Sequence, residues 1–412
     1  MNFLNSIPRG LIVFVAGIVV IAILVWGYVS LFGGGNANSA TSGGSFFSTL
    51  FPFGNTPPPS GGASAGSTAL TDQGQSGSVP LLREVSAAPV SGGWFAAAPA
   101  AESPRIRYML RESGHVEETP ADSFTENRIS NTTLPGVEEL EVATSSAVVL
   151  RVLDDSGAIK NFYGRLNATS SQESITVSPI PNFSRAAVGG GEVLAVTPHA
   201  SGASIDLMNP DGSGKRTLLT SPISSWVPVL GGTHAFLETA PSAEALGYLY
   251  DIAGGSLVKI AGGITGMTAI ASPSGRYVAV SGNTPGGFAL EVIDTKTKTP
   301  YATPLKGFAL KCAWIPNREP LLFCAVPDTP PAAAYPDDWL MGNVPLADEA
   351  WIVNPVGNTS FFIGALTDEN GVDIDAENVS VDPTGSYALF MNKRDLSLWS
   401  LRIAEVVART TP

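Results

Sequence analysis

Strand-like runs recur along this chain at a nearly constant interval. EVLAVTP from Glu192, THAFLET from Thr233, RYVAVSG from Arg276 and PLLFCAV from Pro320 begin 41, 43 and 44 residues apart. A second run follows each: SIDLMNPDG, GYLYDIAGG, ALEVIDTKT and, after an insertion, EAWIVNPVG. The final stretch, Asn378 to Ile403, carries the pair again. A unit of about 40–45 residues built from several short strands cannot bury both of its faces alone, so such units stack around an axis as the blades of a β-propeller. Turn chemistry inside the units agrees. In MNPDGSGKRTLLTSP, Met208 to Pro222, the pair Asp211-Gly212 suits a hairpin turn between a strand ending at Met208 and another around Leu218 and Leu219. The same stretch is not a phosphate-binding loop of the form G-x-x-x-x-G-K-[ST]. Asn209 stands where its first glycine is needed, and Arg216 where its hydroxyl is needed.

Two more units fit upstream. One comprises APVSGGWFAAA, RIRYMLRES, GHVEETP and NRISNTTLPG, and the other spans roughly Val137 to Asn182. The last unit has three convincing strands, and PLLREVS, Pro80 to Ser86, is a plausible fourth arriving from the other end of the domain. The expected fold is therefore all-β, a propeller of seven four-stranded blades over residues 81–404 with a tail at 405–412; six or eight blades stay open. Ring closure predicts a monomer.

The blade motifs resemble a known family. SPSGRYVAVSG, Ser272 to Gly282, and DPTGSYALFMN, Asp382 to Asn392, are similar to the strand–turn–strand motif S-P-D-G-K-x-[IL]-A-[FV] of TolB-like, WD-repeat-like propellers. LMNPDGSGKRTLLT, Leu207 to Thr220, resembles the same family's outer hairpin. Ser274 and Thr384 stand where the family usually has Asp. The resemblance covers roughly Pro80 to Ile403, and it implies a binding platform, often in the bacterial envelope.

Upstream, the chain reads differently. GLIVFVAGIVVIAILVWGYVSLF, Gly10 to Phe32, runs without a charge and is long enough to cross a bilayer as a helix. A signal-peptide core is normally only about 7–15 residues, which favours an uncleaved signal anchor over a cleaved leader. Arg9 directly precedes the run, and no other basic residue follows before Arg83, so residues 1–9 are expected inside and everything beyond the span outside. From residue 33 to 80 the chain is rich in Gly, Ser, Ala, Pro and Thr and reads as a flexible linker, interrupted by FFSTLFPF at Phe46 to Phe53. The expected location is the plasma membrane, single-pass, with the propeller on the outer side.

Net charge of −13 without a basic stripe excludes nucleic acid as a partner. The only cysteines, Cys312 and Cys324, lie in two apolar runs either side of PNRE. A hairpin there would set them opposite one another, and an exported domain favours the disulfide over two buried thiols. GASAG, Gly62 to Gly66, matches a nucleophile-elbow pattern but sits in the linker, without the strand and helix that the elbow requires. His115, His199 and His234 are far apart in sequence, although His199 and Asp206 could meet across a hairpin. The acidic run Asp368 to Asn378 offers Asp368, Asn370, Asp373 and Asp375 as oxygen donors for calcium, in a spacing that departs from the EF-hand; a solvated acidic loop is the plainer reading. N-x-[ST] sequons occur at Asn131, Asn167, Asn182, Asn358 and Asn378.

The most specific candidate is the insertion Pro327 to Glu349 in the sixth unit, because insertions in repeats emerge as loops on one rim. Tyr335, Trp339 and Met341 beside Asp337 and Asp338 make a composition suited to a protein or peptide partner, unless Trp339 folds back to cap its own blade. No catalytic constellation stands out. The expected role is thus a membrane-anchored interaction or scaffolding module of the cell envelope, with an envelope hydrolase or carbohydrate-binding protein using carboxylates at the propeller mouth as the alternative.

Overall fold

The computed structural model describes residues 79–410 apart from 98, 100, 101, 155, 170, 171 and 286. The chain divides into two units, Met1–Ala65 and Gly66–Pro412, and the described residues belong to the second. Among them no helix is long and apolar enough to cross a membrane. The expected span at 10–32, the segment before it, the phenylalanine-rich interruption and the GASAG motif lie outside the described residues, as does the linker up to 78.

Seven separate four-stranded antiparallel sheets follow one another. Blade I holds β2 (Val90–Ala96), β3 (Arg105–Leu110), β4 (Val116–Pro120) and β5 (Asn127–Arg128). Blade II holds β6 (Val137–Thr144), β7 (Ala147–Leu153), β8 (Ile159–Thr169) and β9 (Gln172–Pro179). Blade III holds β10 (Arg185–Gly189), β11 (Glu192–His199), β12 (Gly202–Met208) and β13 (Arg216–Ser221). Blade IV holds β14 (Val227–Gly231), β15 (His234–Glu238), β16 (Leu246–Ala253) and β17 (Ser256–Thr265). Blade V holds β18 (Thr268–Ala271), β19 (Tyr277–Thr284), β20 (Gly287–Asp294) and β21 (Pro300–Ala302). Blade VI holds β22 (Cys312–Trp314), β23 (Leu322–Pro327), β24 (Asp348–Asn354) and β25 (Thr359–Ala365). Blade VII holds β26 (Ala376–Val381), β27 (Tyr387–Asn392) and β28 (Leu398–Arg402), and its outer strand is β1 (Leu82–Ser86), paired antiparallel to β28. The ring is thus closed by the start of the domain, as PLLREVS suggested.

The repeat is visible in the sequence because of where each second strand lies. It is sandwiched between neighbouring blades and buried on both faces, so β7, β11, β19, β23 and β27 read as nearly continuous apolar runs. Outer strands such as β5, β13 and β21 are more exposed and show no such run. Buried side chains gather into one cluster for each of the seven blade interfaces, including Val90, Ile106 and Tyr108 of blade I against Leu389, Met391 and Leu398 of blade VII. A ring of seven blades needs seven such interfaces, and the contact between VII and I is the one that closes it.

Polar contacts reinforce these apolar ones. Arg83 of β1 donates to Pro120 O at 2.9 Å and Thr119 Oγ1 at 3.0 Å, tying blade VII to blade I. Glu141 of β6 accepts the Val188 N–H at 3.1 Å across blades II and III, and Glu238 of β15 accepts the Ala269 N–H at 3.2 Å across IV and V. In the turn of blade VII, Asp382 accepts four bonds, from the amides of Thr384, Ser386 and Tyr387 and from Thr384 Oγ1. Blade V has Ser272 at the matching place, with no carboxylate to offer. Glu319 of blade VI supplies one instead, accepting from Ser272 Oγ at 3.0 Å and from the Ser274 amide at 2.9 Å. Residues 404–410, most of which the repeat pattern set aside as a tail, fold into a helix, α2 (Ala404–Thr410), whose Val407 packs into the core between blades VI and VII.

Candidate functional site

Each blade is an up-and-down meander, so its two ends differ. One end carries the turns from first to second and from third to fourth strand. The other carries the turns from second to third strand together with the links to the next blade, and is called here the linker face. Both the insertion and the acidic run Asp368 to Asn378 emerge on the linker face, since the first joins β23 to β24 and the second leads from β25 into β26.

The insertion is an ordered structure with its own core. A short helix, α1 (Asp337–Leu340), presents Trp339 downward onto Phe308, stacked at 5.5 Å and 14° between planes. Phe288, Phe308, Tyr335, Trp339 and Leu346 form an eighth buried cluster, separate from the seven between blades. Hydrogen bonds pin the insertion at several points. Asn283 of blade V donates to Tyr335 O at 2.6 Å, the Ala243 amide of blade IV donates to Asp337 Oδ2 at 2.5 Å, and Arg394 of blade VII donates to Leu346 O at 2.9 Å. The insertion therefore reaches from blade IV to blade VII.

This corrects two of the five expected contact residues. Tyr335 and Trp339 are only 7% and 3% exposed, so neither is an outward anchor. The reason is physical: an aromatic ring gains more by burial against Phe308 than by standing in water, provided that its polar atom finds a partner. Trp339 Nε1 finds Asp375, at 3.0 Å, and the Tyr335 hydroxyl finds Pro331 O, at 2.8 Å. Asp337 and Asp338 are occupied in holding the loop, Asp338 accepting the Ala334 amide at 2.8 Å. Met341 alone of the five faces outward without such a task, 66% exposed, and Leu340 beside it is 43% exposed.

Under the insertion lies a charged group that sequence reasoning missed. Lys311, fully buried, donates from Nζ to Asp348 Oδ2 at 2.6 Å, to Asp375 Oδ1 at 2.5 Å and to Ala376 O at 2.9 Å. Its ammonium also sits 4.8 Å from the centre of the Trp339 ring. Asp375 accepts further bonds from Trp339 Nε1 and the Leu346 amide, and Asp348 from the Ala376 amide. Burial pushes the Asp348 carboxyl above its usual range, and the Lys311 charge opposes that rise. The available signal was a lone lysine inside the apolar stretch FALKCAW, since a buried lysine requires partners.

The oxygen donors considered for calcium do not converge. Asp375 is committed to Lys311 and Trp339, whereas Asp368 accepts the amides of Asn370 and Val372 at 2.8 and 2.7 Å, closing its own turn. Among the described residues no group of three or more His, Cys, Asp or Glu side chains is set to hold a metal ion. Asp328, Glu349, Asp368, Glu369 and Asp373 instead line an open acidic cleft of 560 Å³ beside the insertion. His199 pairs with Gly202 and Asp206 with Ala195, so they are not partners; Asp206 is held by Lys215, Ser204 and Thr217. Cys312 and Cys324 are opposite in register and joined as a disulfide inside the core between blades V and VI.

Exposed hydrophobic side chains are unevenly divided between the two ends of the propeller. Of the eleven large hydrophobic side chains exposed among the described residues, seven lie at this end: Leu153, Ile159, Ile223, Leu246, Leu340, Met341 and Val372. Scattered single exposed hydrophobics are ordinary, but a bias toward one end of a symmetric scaffold is not.

No family model matches the chain, and no curated protein sequence matches it. Solved structures do. TolB from Acinetobacter baumannii is 10% identical, with 75% of this chain and 79% of that chain covered and a TM-score of 0.39. YCF48 from Cyanidioschyzon merolae is 10% identical over 79% of this chain and 99% of that one, with a TM-score of 0.46. The β-propeller domain of the Trilobed protease from Pyrococcus furiosus is 7% identical over 76% of this chain and 94% of that one, with a TM-score of 0.47. The assignment of seven blades rests on this chain's own strand pairing.

Proposed function

We propose that the chain is a non-catalytic protein-interaction module that receives a protein partner on its linker face. In this reading the apolar segment at 10–32 anchors it in the plasma membrane, and the propeller stands on the outer side as part of the cell envelope. The observation that carries the reading is the pair Leu340 and Met341, adjacent and held outward on an insertion that is fixed from below. A rigid apolar knob with a polar surround is what a partner's pocket can take without first ordering a loop.

The test is affinity capture of the tagged full-length chain from cross-linked native membranes, set against the double variant Leu340→Ser, Met341→Ser. Deleting Pro327 to Glu349 would be a poor control, because it removes Asp348 and leaves Lys311 without one of its counter-charges. The expected result is recovery of specific envelope proteins by the parent chain and their loss with the double variant at an unchanged Tm. Equal recovery by both would refute the insertion as the contact surface.

A further inference from the structure

A separate cleft opens between blades IV and V, also toward the linker face but on the outer side of the sheets. On the side of blade V that faces blade IV, β20 reads Ala289, Glu291 and Ile293. Ile293 lies in the core shared with blade IV, whereas Leu290 and Val292 point the other way into the core shared with blade VI. Glu291 is paired in register with Val280 and Ala302, so its flanking positions on this side are small or aliphatic. Opposite, β17 is bulged: Gly247 pairs with Ile264 and Tyr248 with Gly262, leaving Gly263 as the extra residue, at φ +80°. A side chain at Gly263 would meet nothing within 4 Å. Bulge, Ala289 and Ala302 together leave a cleft of 390 Å³, within the roughly 300–1,000 Å³ of small-ligand sites.

Glu291 is the charged residue of this cleft, half-buried, and makes no hydrogen bond or ion pair among the described residues. Burial raises its carboxyl above the usual range, and no cation pairs with it among the described residues. Three more deeply buried carboxylates each have a cation, Asp206 in Lys215, Asp294 in Arg276 and Glu118 in Arg107, and Glu291 has none among the described residues. An uncompensated carboxylate between aliphatic walls, with the hydroxyl-bearing Thr265 and Thr303 on its rim, is complementary to one kind of ligand.

We propose that the cleft between blades IV and V binds an alkyl cation, a guanidinium or ammonium on an aliphatic stem, with Glu291 as its counter-charge and Ile264, Val280 and Ala289 around the stem. Such a group can come from a free small cation or from an arginine or lysine side chain on a peptide. The site is distinct from Leu340 and Met341 and stands whether or not those residues contact a protein.

The experiment is a ligand-observed NMR titration of the full-length chain with acetyl-arginine amide, n-butylguanidine and, as the neutral isostere, acetyl-citrulline amide. Saturable binding of the cations is expected, weakened about tenfold when citrulline replaces arginine and about tenfold in Glu291→Gln. Ala289→Leu, which fills the cleft while keeping the carboxylate, is expected to abolish it. Tighter binding of acetyl-arginine amide than of n-butylguanidine assigns the site to a peptide-borne side chain, and equal affinity assigns it to a free cation. Absence of saturable binding, or binding that Glu291→Gln and citrulline leave unchanged, overturns the proposal.

Discussion

Lys311→Met is the sharpest perturbation of the group beneath the insertion. It removes a fully buried cation and leaves Asp348 and Asp375, themselves buried, without the charge that offsets their desolvation. Removing one partner of a buried ion pair costs about 3–5 kcal/mol. Unfolding entropy near 60 °C is about 2.1 cal/mol/K per residue, so roughly 330 folded residues give about 0.7 kcal/mol/K and a Tm lowered by about 4–7 °C. Differential scanning calorimetry of the full-length chain at pH 7 measures this directly. Hydrogen exchange adds a local readout, since the Leu346 amide donates to Asp375 at 2.9 Å and should exchange faster once Asp375 is freed. Adding Asp348→Asn to Lys311→Met removes one stranded anion and should recover about half of the loss. A Tm within about 1 °C of the parent, or a further fall on adding Asp348→Asn, would refute the reasoning.

Three further outcomes follow from contacts between blades. Burial pushes the Glu238 carboxyl well above the usual value of 4.5, and burial with Glu139 nearby pushes Glu141 up to about 8. A carboxyl with a raised folded pKa contributes stability that is complete below about pH 4.5 and lost as pH climbs toward 8 and beyond. Tm should therefore fall over that window, and a double variant Glu141→Gln, Glu238→Gln should flatten the slope; an unaltered slope disproves the assignment. Arg83→Ala severs two bonds from β1 to blade I and is expected to cost about 2–3 kcal/mol, read as a lower urea midpoint; no shift would mean that β1 is held by its backbone pairing alone. Glu319→Gln should cost about 1–2 kcal/mol, and Ser272→Asp in that background should restore it by copying Asp382; failure to restore would reject the view that Glu319 stands in for the missing turn carboxylate.

The architecture was legible because propeller physics writes itself into local sequence. Second strands buried on both faces leave apolar runs at a fixed interval, and Asp211-Gly212 or Asp382-Pro383-Thr384-Gly385 mark turns by chemistry that acts over four or five residues. Even the closing strand at Leu82–Ser86 was readable, since blade VII lacked a fourth member. The side-chain arrangements were not legible, because each depends on residues that meet only once the ring has formed. Lys311 meets carboxylates 37 and 64 residues away, and Glu319 fills a turn 45 residues upstream of it. Trp339 illustrates the limit most directly. Composition alone cannot tell an aromatic side chain that seeks a partner protein from one that has found Phe308 within its own chain.

That burial explains how the insertion is held. Ordering a loop of some twenty residues costs about 1–2 kcal/mol per residue in backbone entropy, far more than Met341 or Leu340 could return by contact with solvent. The cost is met from beneath, by the aromatic cluster around Phe308, by the bonds from Ala243 and Asn283, and by the Lys311 group. Because α1 is a single turn, fixing Trp339 inward also fixes the direction of Leu340 and Met341 outward. Entropy already lost in folding is not lost again on association, so a partner that covers Met341 meets a surface whose ordering is complete. The buried tryptophan and the exposed methionine are in this sense one device: the first supplies the rigidity on which the proposed recognition through the second depends.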